Sequence, residues 1–303
     1  MTITPKFPKK VQFLLSLNFP LIDQLCPRKP FIGGRIGYSK QELFFWLLVK
    51  KVMGFDYRLV ADMAGVSHST LVRANDKFSK AKVYQKFLVH LVKLAYRQGL
   101  IKGKTVAMDG SFVKTYTGKI EEGSLGWNEY KAGIGFKLHA LIDAESGVII
   151  ALIIKDGLTY ENQVAIPLLK KARPWLKKCG YVLADKGYDD VEIIEYVAKQ
   201  LKAKAVIPIK ETNQKKLSKN RLKLTAEERI KGGYTNFKFK AKGRCLKQSI
   251  YNRRTEVERF FSYLKRVCKL GKDATRGIKR FVDNTYLACI FYMLNKLKIA
   301  GVI

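Results

Sequence analysis

The chain has 303 residues, 47% of them hydrophobic, enough to bury one large core with room for a second small domain. Its 58 Lys and Arg against 25 Asp and Glu give a formal charge of +33. Such an imbalance repels itself unless a polyanion offsets it, so nucleic acid is the expected partner and binding should weaken steeply as salt rises. The cysteines Cys26, Cys179, Cys245, Cys268 and Cys289 are widely spaced with no C-x2-C pair, and they read as reduced thiols rather than a zinc site or a disulfide framework. The opening MTITPKFPKK carries no apolar signal segment, and the late apolar run Tyr286 to Leu294 falls short of the ~20 residues of a membrane span. The expectation is a soluble, cytoplasmic, nucleoid-associated protein.

Residues 1 to about 100 read as helical. A first clear start is Ser39-Lys40-Gln41-Glu42, a capping box ahead of the apolar run LFFWLLVKKV. In DYRLVADMAGVSHSTLVRANDKF, two short helical patterns flank Gly65 and the second opens at Ser67, the layout of a helix-turn-helix and equally of a plain helical hairpin. From Lys104 the pattern changes. TVAMD, FKLHALID and GVIIALIIK are three β-type segments with short connections, which predicts an antiparallel meander. A helix over about 161–172, a strand YVLAD at 181–185, a helix around 190–200 and a strand KAVIPI at 204–209 follow, so the predicted fold class is mixed α/β, a five-stranded sheet flanked by helices. Residues 210–247 hold thirteen Lys or Arg against three Glu, a basic insertion (about 210–248) expected to lie over a polyanion or to be a solvated loop. A further helix runs from about Ser249 to Leu270, and the segment 281–299 reads as an apolar helix packing on the sheet.

Tyr251, Arg254, Glu258 and Lys265 on the penultimate helix share an arc of about 60° at 3.6 residues per turn, whereas Glu256 points elsewhere, at about 140°. Upstream, Asp109 and Asp185 each follow an apolar strand and precede a Gly within two residues. Alone, either is an ordinary turn former or helix cap. Together with Glu258 they describe three carboxylates which, if brought together, would repel one another unless a cation sits among them. Oxygen-only ligands favour a hard ion, Mg²⁺ with Mn²⁺ as a substitute, and paired ions of this kind serve in-line attack on phosphodiesters. The scattered His68, His90 and His139 argue against a zinc hydrolase. His139 and Lys137 alternate with Phe136, Leu138 and Ala140 and read as a solvated strand face sooner than as an edge of the site, and Trp127, in the loop after the first strand, as a surface aromatic sooner than as a platform for an extruded base.

AMDGSFVK around Asp109, LADKGYDD around Asp185 and the Y-x2-R-x3-E-x6-K signature in YNRRTEVERFFSYLK resemble the DDE-type insertion-sequence transposases of the IS4/IS5-like grouping. The match spans roughly residues 100–300. KLHALIDAESG and DATRGIKR also look like segments of these proteins, although the usual tyrosine after ATR is Gly277 here. The resemblance implies an RNase H-like catalytic core within 101–303 behind an N-terminal helical, DNA-binding domain (1–100). It implies Asp109, Asp185 and Glu258 as the catalytic, metal-binding triad, and Tyr251, Arg254 and Lys265 in contact with the DNA backbone near the scissile phosphate. The expected activity is Mg²⁺-dependent cleavage at transposon ends and strand transfer into target DNA, with double-stranded DNA as partner and a homodimer pairing two ends. The rival expectations are a catalytically silent, transposase-derived DNA-binding protein and an RNase H-like structure-specific nuclease.

Overall fold

In the computed structural model, which describes residues 8–26, 38–208, 248–272 and 276–303, the three β-type segments form one side of a mixed sheet. Strands β1 (Thr105–Lys114), β3 (Gly133–Asp143) and β4 (Ile149–Asp156) pair antiparallel in turn, and β5 (Tyr181–Leu183) and β6 (Lys204–Val206) add in parallel on the other side of β1. The order across the sheet is therefore β4-β3-β1-β5-β6. A two-residue strand β2 (Trp127–Asn128) also pairs with the start of β3, one strand more than the sequence reading. Every residue of β3 is buried, as a central strand covered on both faces requires. At Gly135 the β1 backbone comes so close that a Cβ would lie 2.2 Å from the carbonyl oxygen of Val113, so no larger residue fits.

Helix α7 (Glu161–Ala172) runs over the predicted span and packs Val164, Ala165, Leu168, Leu169 and Ala172 onto β3 and β4, one stripe at helical spacing. Helix α8 (Val191–Gln200) is capped by the Asp190 carboxylate, which accepts the N–H of Glu192 at 2.9 Å. Asp143, at the end of β3, is fully buried; its Oδ2 accepts N–H groups from Lys102 and Gly103, and its Oδ1 those of Glu145 and Ser146.

Two compact units arise from this chain. One holds the sheet, over 95–114 and 123–261; the other gathers the helices of 1–94 with 115–122 and 262–303. In the helical unit, α3 (Lys40–Met53) starts where the capping box placed it, yet Ser39 makes no side-chain cap bond. Phe44 on α3 centres a cluster with Phe19, Phe78, Tyr84 and Phe87, at ring separations of 5.1 to 6.2 Å. The final helix α11 (Gly277–Ile299) packs along α3, and Phe291 meets Phe13 at 6.3 Å, so its apolar face serves the helical unit and not the sheet as expected. Helices α4 (Tyr57–Ala64) and α5 (His68–Lys80) form the predicted pair, with Gly65 left-handed at φ +64° between them. Asp56 and Ser67 cap them by accepting the N–H groups of Leu59 and Thr70. Among the described residues no helix is long and apolar enough to cross a membrane. The basic insertion, over 210–247, lies outside the described residues, as do 273–275 of DATRGIKR.

Candidate active site

Asp109 does not end its strand; β1 runs on through it to Lys114, paired Asp109↔Ala140 and Gly110↔His139. The parallel ladder between β1 and β5 ends at Ala107↔Leu183. Asp109 and Asp185 each lie two residues further on, so side-chain alternation carries both carboxylates to the same face and level of the sheet. Beyond Leu183 the chain leaves the sheet in a 3-10 turn, Lys186–Tyr188, whose first N–H is accepted by the Asp185 carboxylate. The Asp109 Oδ1 accepts the N–H of Gly110 at 2.8 Å. Each aspartate therefore keeps the local backbone bond of a turn former, and both line one cavity.

The signature residues arrive on a helix with a break in it. Helix α9 (Gln248–Tyr251) passes through a 3-10 turn, Asn252–Arg254, into α10 (Thr255–Arg266), where the sequence predicted one uninterrupted helix. The Arg254 guanidinium bridges two carboxylates, with Nη1 3.3 Å from Asp109 Oδ2 and Nη2 donating to Glu258 Oε1. Its Cζ lies over the Tyr251 ring, 5.6 Å from the centroid. Glu256 turns away, as its phase predicted, and pairs with Arg259. Lys265 lies in the last turn of α10, about two turns beyond Glu258, in the stretch that groups with the helical unit.

Burial pushes the Asp109 carboxyl up to about 6; the Gly110 N–H and Arg254 work against this, and the charges of Asp185 and Glu258 add to it. Burial works against the charged form of Arg254, but Tyr251, Asp109, Glu258 and Asp185 together hold it more firmly protonated than usual. Tyr188, three residues past Asp185, is buried, and its hydroxyl has no hydrogen-bond partner among the described residues. Burial raises its phenol well above the usual range, and the negative charges of Asp109, Glu161 and Asp185 add to the effect. The sequence reading passed over this residue although it stood in LADKGYDD; a tyrosine inside a motif quoted for its aspartate was the available signal.

His139 and Lys137 are not solvated. His139 is fully buried beneath α7, with neither ring nitrogen hydrogen-bonded among the described residues, and burial with the Lys137 charge lowers it to about 4, so it is neutral. Lys137 Nζ donates to the Thr159 carbonyl at 2.9 Å and to Glu161 Oε1 at 3.0 Å. Their strand face is alternate in sequence because it is covered by a helix that the local pattern does not reveal. Trp127 belongs to β2 and is 57% exposed at the rim of a cavity of about 1140 Å³. That cavity reaches from Asp109 and Asp185 past Phe112 and Lys137 to Tyr130 and Tyr160.

As placed, no three His, Cys, Asp or Glu side chains among the described residues are grouped to hold a metal ion. The donor types nonetheless fit a hard divalent cation: carboxylates from the middle of β1, from just past the end of β5 and from α10, with Asp109 raised first by burial and then by the charges of Asp185 and Glu258. Arg254 now supplies the positive charge between them.

The family model described as Transposase DDE domain matches residues 101–294. A Brucella ovis protein, provisionally named a transposase for insertion sequence element IS6501, is 24% identical over 158 residues, 52% of this chain and 97% of its own length. Among solved structures, the cryo-EM structure of the piggyBac transposase synaptic complex with hairpin DNA superposes with a TM-score of 0.53 at 10% identity, over 99% of this chain and 78% of that one. At that identity the likeness speaks for the fold, an RNase H-like core. With the model matched over most of the chain, this protein belongs to the DDE transposase-domain family.

Proposed function

We propose that this chain is a DNA transposase that cleaves at transposon ends and joins the freed 3′-hydroxyl to target DNA, both at the site built by Asp109, Asp185 and Glu258. The observation that carries the reading is the meeting of carboxylates from remote stretches of sequence around one guanidinium, with Asp185 acting on Asp109 from the neighbouring strand end. Asp109, Asp185 and Glu258 would hold Mg²⁺, for which Mn²⁺ can substitute. Divalent cations bound there supply activation of the attacking hydroxyl and stabilisation of the leaving oxygen. The chain's own cations position the substrate: Arg254 grips a backbone phosphate with its planar fork, Lys265 offers a point charge, and Tyr251 braces the arginine from below. No protein nucleophile is required, and burial holds the Cys179 and Cys268 thiols up at about 12, far from reactive thiolates. Helices α4 and α5, in the N-terminal domain, recognise the transposon end, and two chains pair two ends as a homodimer.

The test is a nicking and joining assay on end-bearing duplex with Mg²⁺. Asp109→Ala, Asp185→Ala and Glu258→Ala should each abolish both products while duplex binding, carried by the basic surface, persists. Joining retained by any one variant removes that residue from the triad.

A further inference from the structure

We infer that Arg254 is an exchangeable counter-ion, held by the Asp109 and Glu258 carboxylates in the free protein and released to a DNA phosphate when the chain engages its substrate, so that DNA binding opens the site to metal. The inference rests on the triad reading above and adds to it an order of events.

Three observations carry it. First, the guanidinium engages Asp109 Oδ2 and Glu258 Oε1, the oxygens a cation at this site would need, and it does so from a position only 17% exposed. A carboxylate oxygen directed at an arginine fork is not free for a metal, so the two occupants compete. Second, Asp109 and Asp185 both line the cavity of about 1140 Å³, so a cation or a phosphate can reach the carboxylate that the guanidinium engages. Third, Arg254 closes the 3-10 turn Asn252–Arg254 that separates α9 from α10, and a 3-10 stretch within a helix is a common hinge position. Glu258, by contrast, lies in the regular α-helix beyond it and is half exposed. The residue that would move is therefore at the break, and the one that would stay is on the regular helix.

A phosphate competes for the guanidinium with the same bidentate geometry as a carboxylate and arrives with its own charge. Moving Arg254 onto it leaves Asp109 and Glu258 with an uncompensated pair of negative charges beside Asp185, and a divalent cation then binds better. Linkage makes the effect reciprocal: the factor by which DNA raises metal affinity is the factor by which metal raises DNA affinity.

The experiment measures Mn²⁺ binding to the full chain without DNA, by the loss of the free-ion paramagnetic resonance signal, at fixed ionic strength. Arg254→Gln should bind Mn²⁺ more tightly than the unmodified chain, by about 5- to 150-fold, the usual range of coupling between two sites. Arg254→Lys keeps the charge but not the planar fork and should fall between them. Circular dichroism melts establish first that each variant is folded, and Arg254→Lys carries the test if Arg254→Gln is not. Mn²⁺ affinity unchanged or weakened in the folded variants overturns the inference, since the arginine would then be a scaffold for the site and not its competitor. Asp109→Asn and Asp185→Asn separate the two readings. If they leave Mn²⁺ binding intact, the triad itself is misassigned; if they abolish it while Arg254→Gln changes nothing, only the exchange is wrong.

Discussion

The carboxylate of Asp143 accepts the backbone N–H of Gly103 at 2.8 Å, which ties the end of β3 to the segment that leads into β1. With the N–H groups of Lys102, Glu145 and Ser146 on the same side chain, one buried acceptor fixes the register of the two strands around Asp109. Asp143→Ala leaves the buried Gly103 N–H and three half-buried ones without their acceptor and should cost about 2 kcal/mol of stability, with Asp143→Asn costing less. Urea unfolding at neutral pH checks this; an unchanged midpoint for the alanine variant would refute the anchoring role.

Asp283 on α11 gives stability a pH dependence. Burial raises its carboxyl to about 6 from 3.8; a bond with Ser79 and the charges of Lys279 and Arg280 pull it down, and Asp76 pushes it up. A folded-state value above the unfolded one means that its contribution is fully present below about pH 4 and is lost as pH rises through about 6. Asp283→Asn should therefore raise the thermal midpoint at pH 8, by at most about 3 kcal/mol in stability, and have little effect near pH 4. A variant less stable than the parent at pH 8 would show that the Ser79 bond outweighs the burial of charge.

The charge of +33 makes a prediction of its own. Duplex affinity should fall by about 10³-fold or more between 50 and 200 mM salt if several phosphates are neutralised. A shallow salt slope, read by fluorescence anisotropy, would point away from DNA as the polyanion that the charge serves.

Arg73 on α5 is exposed and donates to the Ser69 carbonyl and hydroxyl of its own helix, so charge reversal there disturbs little of the fold. If the α4–α5 pair reads transposon ends, Arg73→Glu should weaken end binding about tenfold while random duplex is bound nearly as before. Equal binding of the end-bearing duplex by variant and parent in a gel shift would return the pair to a plain helical hairpin.

Much of the sheet was legible because its signals are local: FKLHALID alternates, the helix at Glu161–Ala172 shows its apolar stripe, and LADKGYDD carries a strand end with its own cap. What was not legible depended on partners remote in sequence. Gly110 and Ser111 after Asp109 look like a turn, and only the antiparallel ladder with β3 keeps β1 extended to Lys114. Lys137 and His139 have the spacing of a wet strand face, and it takes α7 with Glu161 to bury them. The apolar face of α11 announced itself but could not say whether a sheet or α3 would cover it. The ladder's phase assumed a regular helix where three residues are wound more tightly, and Glu258 still meets Arg254 while Glu256 pairs with Arg259.

That tighter winding also says what the spacing of the signature is for. At about three residues per turn, positions three apart eclipse, so Tyr251 and Arg254 stack as tread and riser before the ordinary pitch resumes. Losing Asn252 or Arg253 would rotate everything after it by about 100° and swing Glu258 away from Arg254 while every side chain named in the site was still encoded. The intervals in this segment are then gearing, and their lengths are as constrained as the letters they separate.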